Sequence, residues 1–297
     1  MNRAYPIYIT ALILFGLNGV VAYYIHLSSS QIVFLRTLIG SIVLLAIFFL
    51  LRKKFTCQNH KRDALFIAAS GVAMGASWVF LYEAYQLVGV SISSLAYYCG
   101  PILIMAVSPF LFREKLTWVT TASFAVVLFG TFLVNGDAAN TGTNVWGLFC
   151  GAMSAVLHAL MVIFTKKAEH IDGLENTVIQ VCFSFITAAV YLACTGGLVF
   201  AVQAGDWIPI LILGVFNTGI CCYLYFSTIG RLPIQSVSIL GYLEPLSAVV
   251  FSVLLLGEGM LPLQVLGAVL ILGGAAAGEL AGIRKAAAGK NSGDPRL

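Results

Sequence analysis

Two ionisable side chains sit in stretches otherwise built of apolar residues: His158, within the run 154–164, and Glu244, immediately before Pro245. Such a group at membrane depth costs free energy on the kcal/mol scale and turns toward a protein interior or a water-filled cavity. Three uses follow for each: exchanging a proton, hydrogen-bonding a polar solute, or tying two helices together. Pro245 removes a backbone donor and disturbs the turn before it, so the Glu244 carboxylate stands beside carbonyls that need partners. Amides at Asn18 and Asn217 interrupt apolar runs in the same way, and a ligand satisfies them as well as a second helix does.

Aromatic residues supply the other half of a solute site. Gly71, Gly75, Trp78, Tyr82 and Tyr85 follow one another at spacings of four, three, four and three, which is one face of a helix. Trp78 and Tyr82 suit stacking, cation–π contact and hydrogen bonding to an amphipathic solute, whereas Tyr85 fits a belt at the outer interface. Tyr98 with Pro101 recurs as Tyr242 with Pro245, a tyrosine and a helix-breaking, gating proline in each place. The expected solute-binding set is Asn18, Trp78, Tyr82, Tyr98, His158, Asn217, Tyr242 and Glu244, with Glu244 and His158 as proton-coupling candidates.

Bond-making chemistry is not expected. A lipid-modifying enzyme would need paired acids, a His-Asp cluster or a metal set near the interface, but only isolated His158 and Glu244 occupy the deep stretches. Of the seven cysteines, Cys221 and Cys222 are adjacent and no Cys-x-x-Cys occurs, so neither a metal site nor a cofactor is predicted.

The elements that must position these groups are membrane helices. With 60% hydrophobic and 9% charged residues and a mean hydropathy of +0.97, the chain has no surface for water. A hydrocarbon core of about 30 Å needs roughly 20 apolar residues per helix. Ten stretches qualify: 5–26, 30–51, 63–87, 90–112, 116–135, 144–165, 175–197, 206–228, 234–256 and 261–282. β-Barrel strands would alternate in polarity, and these runs do not. With the N-terminus in the cytoplasm, fifteen of the sixteen Lys and Arg residues fall on the inner side and none on the outer, as the positive-inside rule requires. The sixteenth, Arg36, lies inside span 2 and is expected to snorkel outward or to pair with a polar neighbour. Glu83, near the outer end of span 3, is expected to be solvated. The net charge of +4 is explained by topology, so no nucleic acid is implied.

The halves repeat. A shift of 144 residues places Gly75 on Gly219, Ser94 on Ser238, Tyr98 on Tyr242, Pro101 on Pro245, Ser108 on Ser252, Glu114 on Glu258 and Gly130 on Gly274, and it sets Arg36 on Gln180. Five spans per half is an odd number, so the second half enters from the opposite face. The fold class is therefore an all-α membrane protein of ten transmembrane helices in two inverted five-helix repeats, 1–140 and 141–285, followed by a cytoplasmic tail, 286–297. Inverted repeats of this kind predict alternating access. Gly71-x-x-x-Gly75, Gly147-x-x-x-Gly151 and Gly274-x-x-x-Gly278 permit close helix packing, within the chain or in a homodimer, for which span 10 is the candidate surface.

Ten helices in this duplication, with Arg113-Glu114-Lys115-Leu116-Thr117 after span 4 and Leu256-Gly257-Glu258-Gly259-Met260 after span 9, resemble the EamA-type members of the drug/metabolite transporter superfamily. Phe34-Leu35-Arg36, Tyr242-Leu243-Glu244-Pro245, Gly267 and Gly273-Gly274 add to the likeness. The resemblance implies a metabolite transporter of the bacterial inner membrane with both termini cytoplasmic, often an exporter of amino acids or their relatives. It also implies a central cavity built by spans 1, 3, 4, 6, 8 and 9, with spans 5 and 10 peripheral. His158 departs from the family, where an apolar aromatic is usual. The alternative within the superfamily is a multidrug or cationic-compound exporter. Its nucleotide-sugar branch is disfavoured because anionic solutes want several embedded cations and Arg36 is the only one.

Overall fold

The computed structural model describes residues 4–97, 100, 103–104, 107, 111, 118–136, 144–171, 173–197, 199–259, 261–263, 265–271, 273–274 and 277. Every regular element among them is helical. Six helices are long and apolar enough to cross a membrane.

Span 1 is two helices, α1 (Ala4–Phe15) and α2 (Leu17–Tyr23), separated at Gly16. Gly16 itself keeps helical angles, φ −58° and ψ −21°, and it is where the backbone meets another helix. A side chain there would put its Cβ 2.1 Å from Ser247 Oγ and 2.7 Å from the Ala248 nitrogen. Span 2 is α3 (Ser29–Leu50), opened by a capping box in which Ser28 accepts from the Gln31 nitrogen and Gln31 returns the bond.

Spans 3 and 4 meet in α4 (Lys61–Tyr97), which breaks at Gly89 with φ 81° and ψ 166°, backbone angles open only to glycine without strain. The arm after the break starts under a remote carboxylate: Glu258 accepts from the Val90 and Ser91 nitrogens at 3.2 and 2.9 Å, where a negative charge suits a helix N-terminus. Ser77, before the break, bonds Ser154, while Tyr97, after it, reaches His158. The two arms therefore run back along the same neighbour, α6.

Span 5 is α5 (Trp118–Gly136), span 6 is α6 (Val145–Lys167) and span 7 is α7 (Gly173–Cys194). Asn144 caps α6, and Lys166 and Lys167 in its last turn complement the helix dipole. Span 8 runs through a 3-10 turn (Ala204–Asp206), α8 (Trp207–Leu211), a π-helical stretch (Ile212–Cys221) and α9 (Cys222–Ile229). Span 9 is α10 (Ile234–Leu240), α11 (Leu243–Phe251) and a π turn (Ser252–Leu256). The interruption between α10 and α11 falls within the turn before Pro245, where the proline predicts it.

Packing uses the small residues within the chain. Built Cβ atoms on Gly71 and Gly75 would lie 2.5 Å from the Gln180 carbonyl and 2.7 Å from the Ser184 carbonyl of α7, and one on Gly147 would meet Val88 at 2.6 Å. Large apolar side chains such as Leu50, Trp118, Phe132 and Leu254 point outward and are mostly exposed, a surface that suits lipid rather than water.

Polar loops gather at two ends. At one, the His60 and His170 rings stack 4.6 Å apart, Asp63 accepts from the His170 nitrogen, and Glu175 accepts from Thr56 and Cys57. At the other, His26 bonds Asp206, Gln31 donates to the Gly197 and Val199 carbonyls, and Gln86 donates to Leu27.

Candidate functional site

The π-helical stretch is where the site begins. Thr218 Oγ1 donates to the Leu213 carbonyl five residues back at 2.8 Å, matching the wide turn, and such stretches recur at functional sites. Widening leaves both Asn217 and Thr218 buried. Asn217 Nδ2 donates to Asn18 Oδ1 at 2.7 Å, and Thr218 Oγ1 accepts from Arg36 Nε at 3.0 Å. Two adjacent residues thus fasten span 8 to spans 1 and 2.

Arg36 does not snorkel. It is 0% exposed, its Nη1 donates to the Tyr82 hydroxyl, and its guanidinium carbon lies 4.1 Å from the centre of the Trp78 ring. Two oxygen acceptors and an aromatic face at its own depth remove the reason to seek water, so the pairing expectation holds and the snorkelling one is corrected. Nη2 has no partner among the described residues. Glu83, expected in water, accepts from Ser29 Oγ instead, because α3 begins beside it. Tyr85 packs on Tyr82 with ring centres 5.3 Å apart, inside the bundle rather than in an interfacial belt.

Trp78 also lines a small cavity between the helices. Four residues singled out from the sequence line it: Asn18, Trp78, His158 and Glu244. The Tyr97 hydroxyl, at the end of α4, bonds His158 Nδ1 and ties α4 to α6 at the wall. Phe15 stands one turn from Asn18, Met74 one turn from Trp78, and Met161 one turn from His158, while Cys222, Tyr225 and Phe226 form the face from α9. These seven were not in the expected binding set, although all but Tyr97 lie at helical spacing from a polar anchor or from another wall residue. That spacing was the usable signal.

The remaining expected residues fall elsewhere. Tyr82 and Asn217 are buried behind the wall in the Arg36 and Asn18 bonds, and Tyr242 is buried at the head of α11 without lining the cavity. Tyr98 and Pro101 lie outside the described residues, as does the side chain of Pro245. Chemically the cavity offers one carboxylate, one imidazole, one amide and a ring of π faces: partners for a cationic or zwitterionic solute rather than for a phosphate. No group of His, Cys, Asp and Glu among the described residues could hold a metal.

Among the described residues, six helices long and apolar enough to cross a membrane make this a multi-pass helical bundle. The chain belongs to the EamA-like transporter family, whose model matches residues 2–136 and again 145–277. It is 26% identical over 271 residues to the "uncharacterized transporter YxxF" of Bacillus subtilis, covering 90% of this chain and 86% of that one. It is 25% identical over 239 residues to the "threonine/homoserine exporter RhtA" of Escherichia coli K12, covering 78% and 75%. A solved crystal structure with 22% identity superimposes with a TM-score of 0.71 over 93% of this chain and 98% of that chain, a likeness of fold alone.

Proposed function

We propose that this chain is a secondary transporter that exports small amphipathic metabolites, amino acids or their relatives, across the bacterial inner membrane by alternating access. The observation that carries this reading is the cavity wall itself. Glu244 offers an anion to an ammonium group, Asn18 and His158 offer hydrogen bonds, and Trp78, Tyr97 and Tyr225 offer faces to the apolar remainder. The RhtA relative points to the same solute class.

The ten-span plan in two inverted repeats, divided at 140 and 285, belongs to this proposal. Two matches to one family model favour it. So does the 144-residue register, which sets Gly89 on Pro233 and Val90 on Ile234, the start of α10. Both termini are assigned to the cytoplasm because the end that carries Lys61, Lys166 and Arg231 holds the basic loops.

The test is uptake of labelled amino acids into inverted vesicles or proteoliposomes. Saturable flux of one or more amino acids is expected; no flux across a broad amino-acid and metabolite panel overturns the assignment. Proton coupling is assigned to Glu244 or His158. Loss of pH-driven flux in Glu244→Gln with exchange retained supports it, and normal pH-driven flux in both Glu244→Gln and His158→Phe removes it. A second reading, export of cationic compounds, is favoured by the single carboxylate within an aromatic ring, and flux of quaternary amines without flux of amino acids selects it.

A further inference from the structure

A second cavity, of about 210 Å³, opens where α6 and α9 end, and Phe226 is the one residue that lines both spaces. The two helices are in step there. Met161 and Cys222 face the central cavity; four residues further along each helix, Thr165 and Phe226 face the outer cleft. Four residues rise about 6 Å, so the chambers are one helical turn apart with the Phe226 ring between them. That ring is 2% exposed and set edge-on to Tyr225, ring centres 5.0 Å apart.

The cleft differs in chemistry from the chamber behind it. Its walls carry Lys166 and Arg231 with Glu169 and Asn176. Lys166 Nζ donates to the Leu232 carbonyl, which holds the ammonium beside the cleft. Arg231 is exposed, and its planar fork matches a carboxylate.

We propose that this cleft is the vestibule of the transport path on the basic face, that Lys166 and Arg231 gather the carboxylate of an amino-acid solute there, and that Phe226 is the gate between vestibule and central cavity. The proposal rests on the transport reading above. It adds where the solute enters and which end leads: the carboxylate is met first by the two cations, and the ammonium goes on to Glu244.

Two experiments test it, one of them without transport. A membrane-impermeant methanethiosulfonate applied from the basic face is expected to label Ser227→Cys, which lies in the cleft, and to leave Cys222 behind the ring unmodified. Phe226→Ala is expected to expose Cys222 to the same reagent, with labelling lost again in Phe226→Ala/Cys222→Ser; Phe226→Leu serves if the alanine variant does not fold. Cys222 that stays unlabelled in a folded Phe226 variant, or that labels in the wild type, overturns the gate whether or not the protein transports. In vesicles, Arg231→Gln is expected to raise KM for amino acids about tenfold at unchanged maximal rate and to leave quaternary amines unaffected. An unchanged KM overturns the gathering role, whereas absence of wild-type flux strikes the transport reading itself.

Discussion

Asn217 and Asn18, 199 residues apart in the chain, share one hydrogen bond of 2.7 Å at the edge of the cavity. Both amides are at least 96% buried. Their bond joins span 8 to the first span, alongside the packing of Phe15 on Tyr225. Asn18→Leu strands the Asn217 donor and is expected to cost about 1–3 kcal/mol. Asn18→Leu/Asn217→Leu, which removes both polar groups, is expected to recover part of that loss. Thermal unfolding in detergent of the two singles and the double measures the coupling, and strict additivity counts against the bond.

Tyr97 and His158 form the opposite wall as a pair. Tyr97→Phe and His158→Phe are each expected to weaken solute binding about five- to tenfold, the worth of roughly one hydrogen bond. The double variant should be little worse than either, because the two act as one unit. Solute-induced thermal shift reads this without flux. Losses that multiply in the double variant contradict a shared role.

Arg36 is held by shape as much as by charge. Lysine keeps the charge but loses the planar group that spans Thr218 and lies over Trp78. Arg36→Lys is expected to destabilise by about 1.5–3 kcal/mol, seen as a lower unfolding midpoint in detergent. A midpoint equal to wild type shows that the contacts contribute little.

Cys57 lies in the loop after α3, outside the spans. Burial pushes its thiol up, and the Glu175 carboxylate, which accepts from the Cys57 nitrogen at 2.8 Å, pushes it further. Since the thiolate is the nucleophile, maleimide labelling should be slow at neutral pH and rise only at higher pH than for an ordinary cysteine. Glu175→Gln is expected to move that rise to lower pH while the burial contribution stays. An unchanged profile removes Glu175 from the account.

Polar residues in apolar runs made part of this site legible in advance. Asn18, Trp78, His158 and Glu244 reach the cavity because a side chain that lipid excludes has only the interior to face. Depth and partners were not legible. That Tyr97 meets His158 is shown only by the packing of its helix against α6. The partners of Arg36 were not legible because Tyr82 and Thr218 lie 46 and 182 residues away. Gly16 likewise looks ordinary in sequence, and what requires a glycine there is Ser247.

That contact between Gly16 and the Ser247–Ala248 backbone has a mechanical corollary. Two main chains touching so closely have no slack to slide, so spans 1 and 9 are keyed together and must swing as a pair when the protein changes state. Asn18 and Glu244 ride on those two spans. They would therefore keep their mutual distance when the helices around them shift, a fixed pincer in the cavity wall.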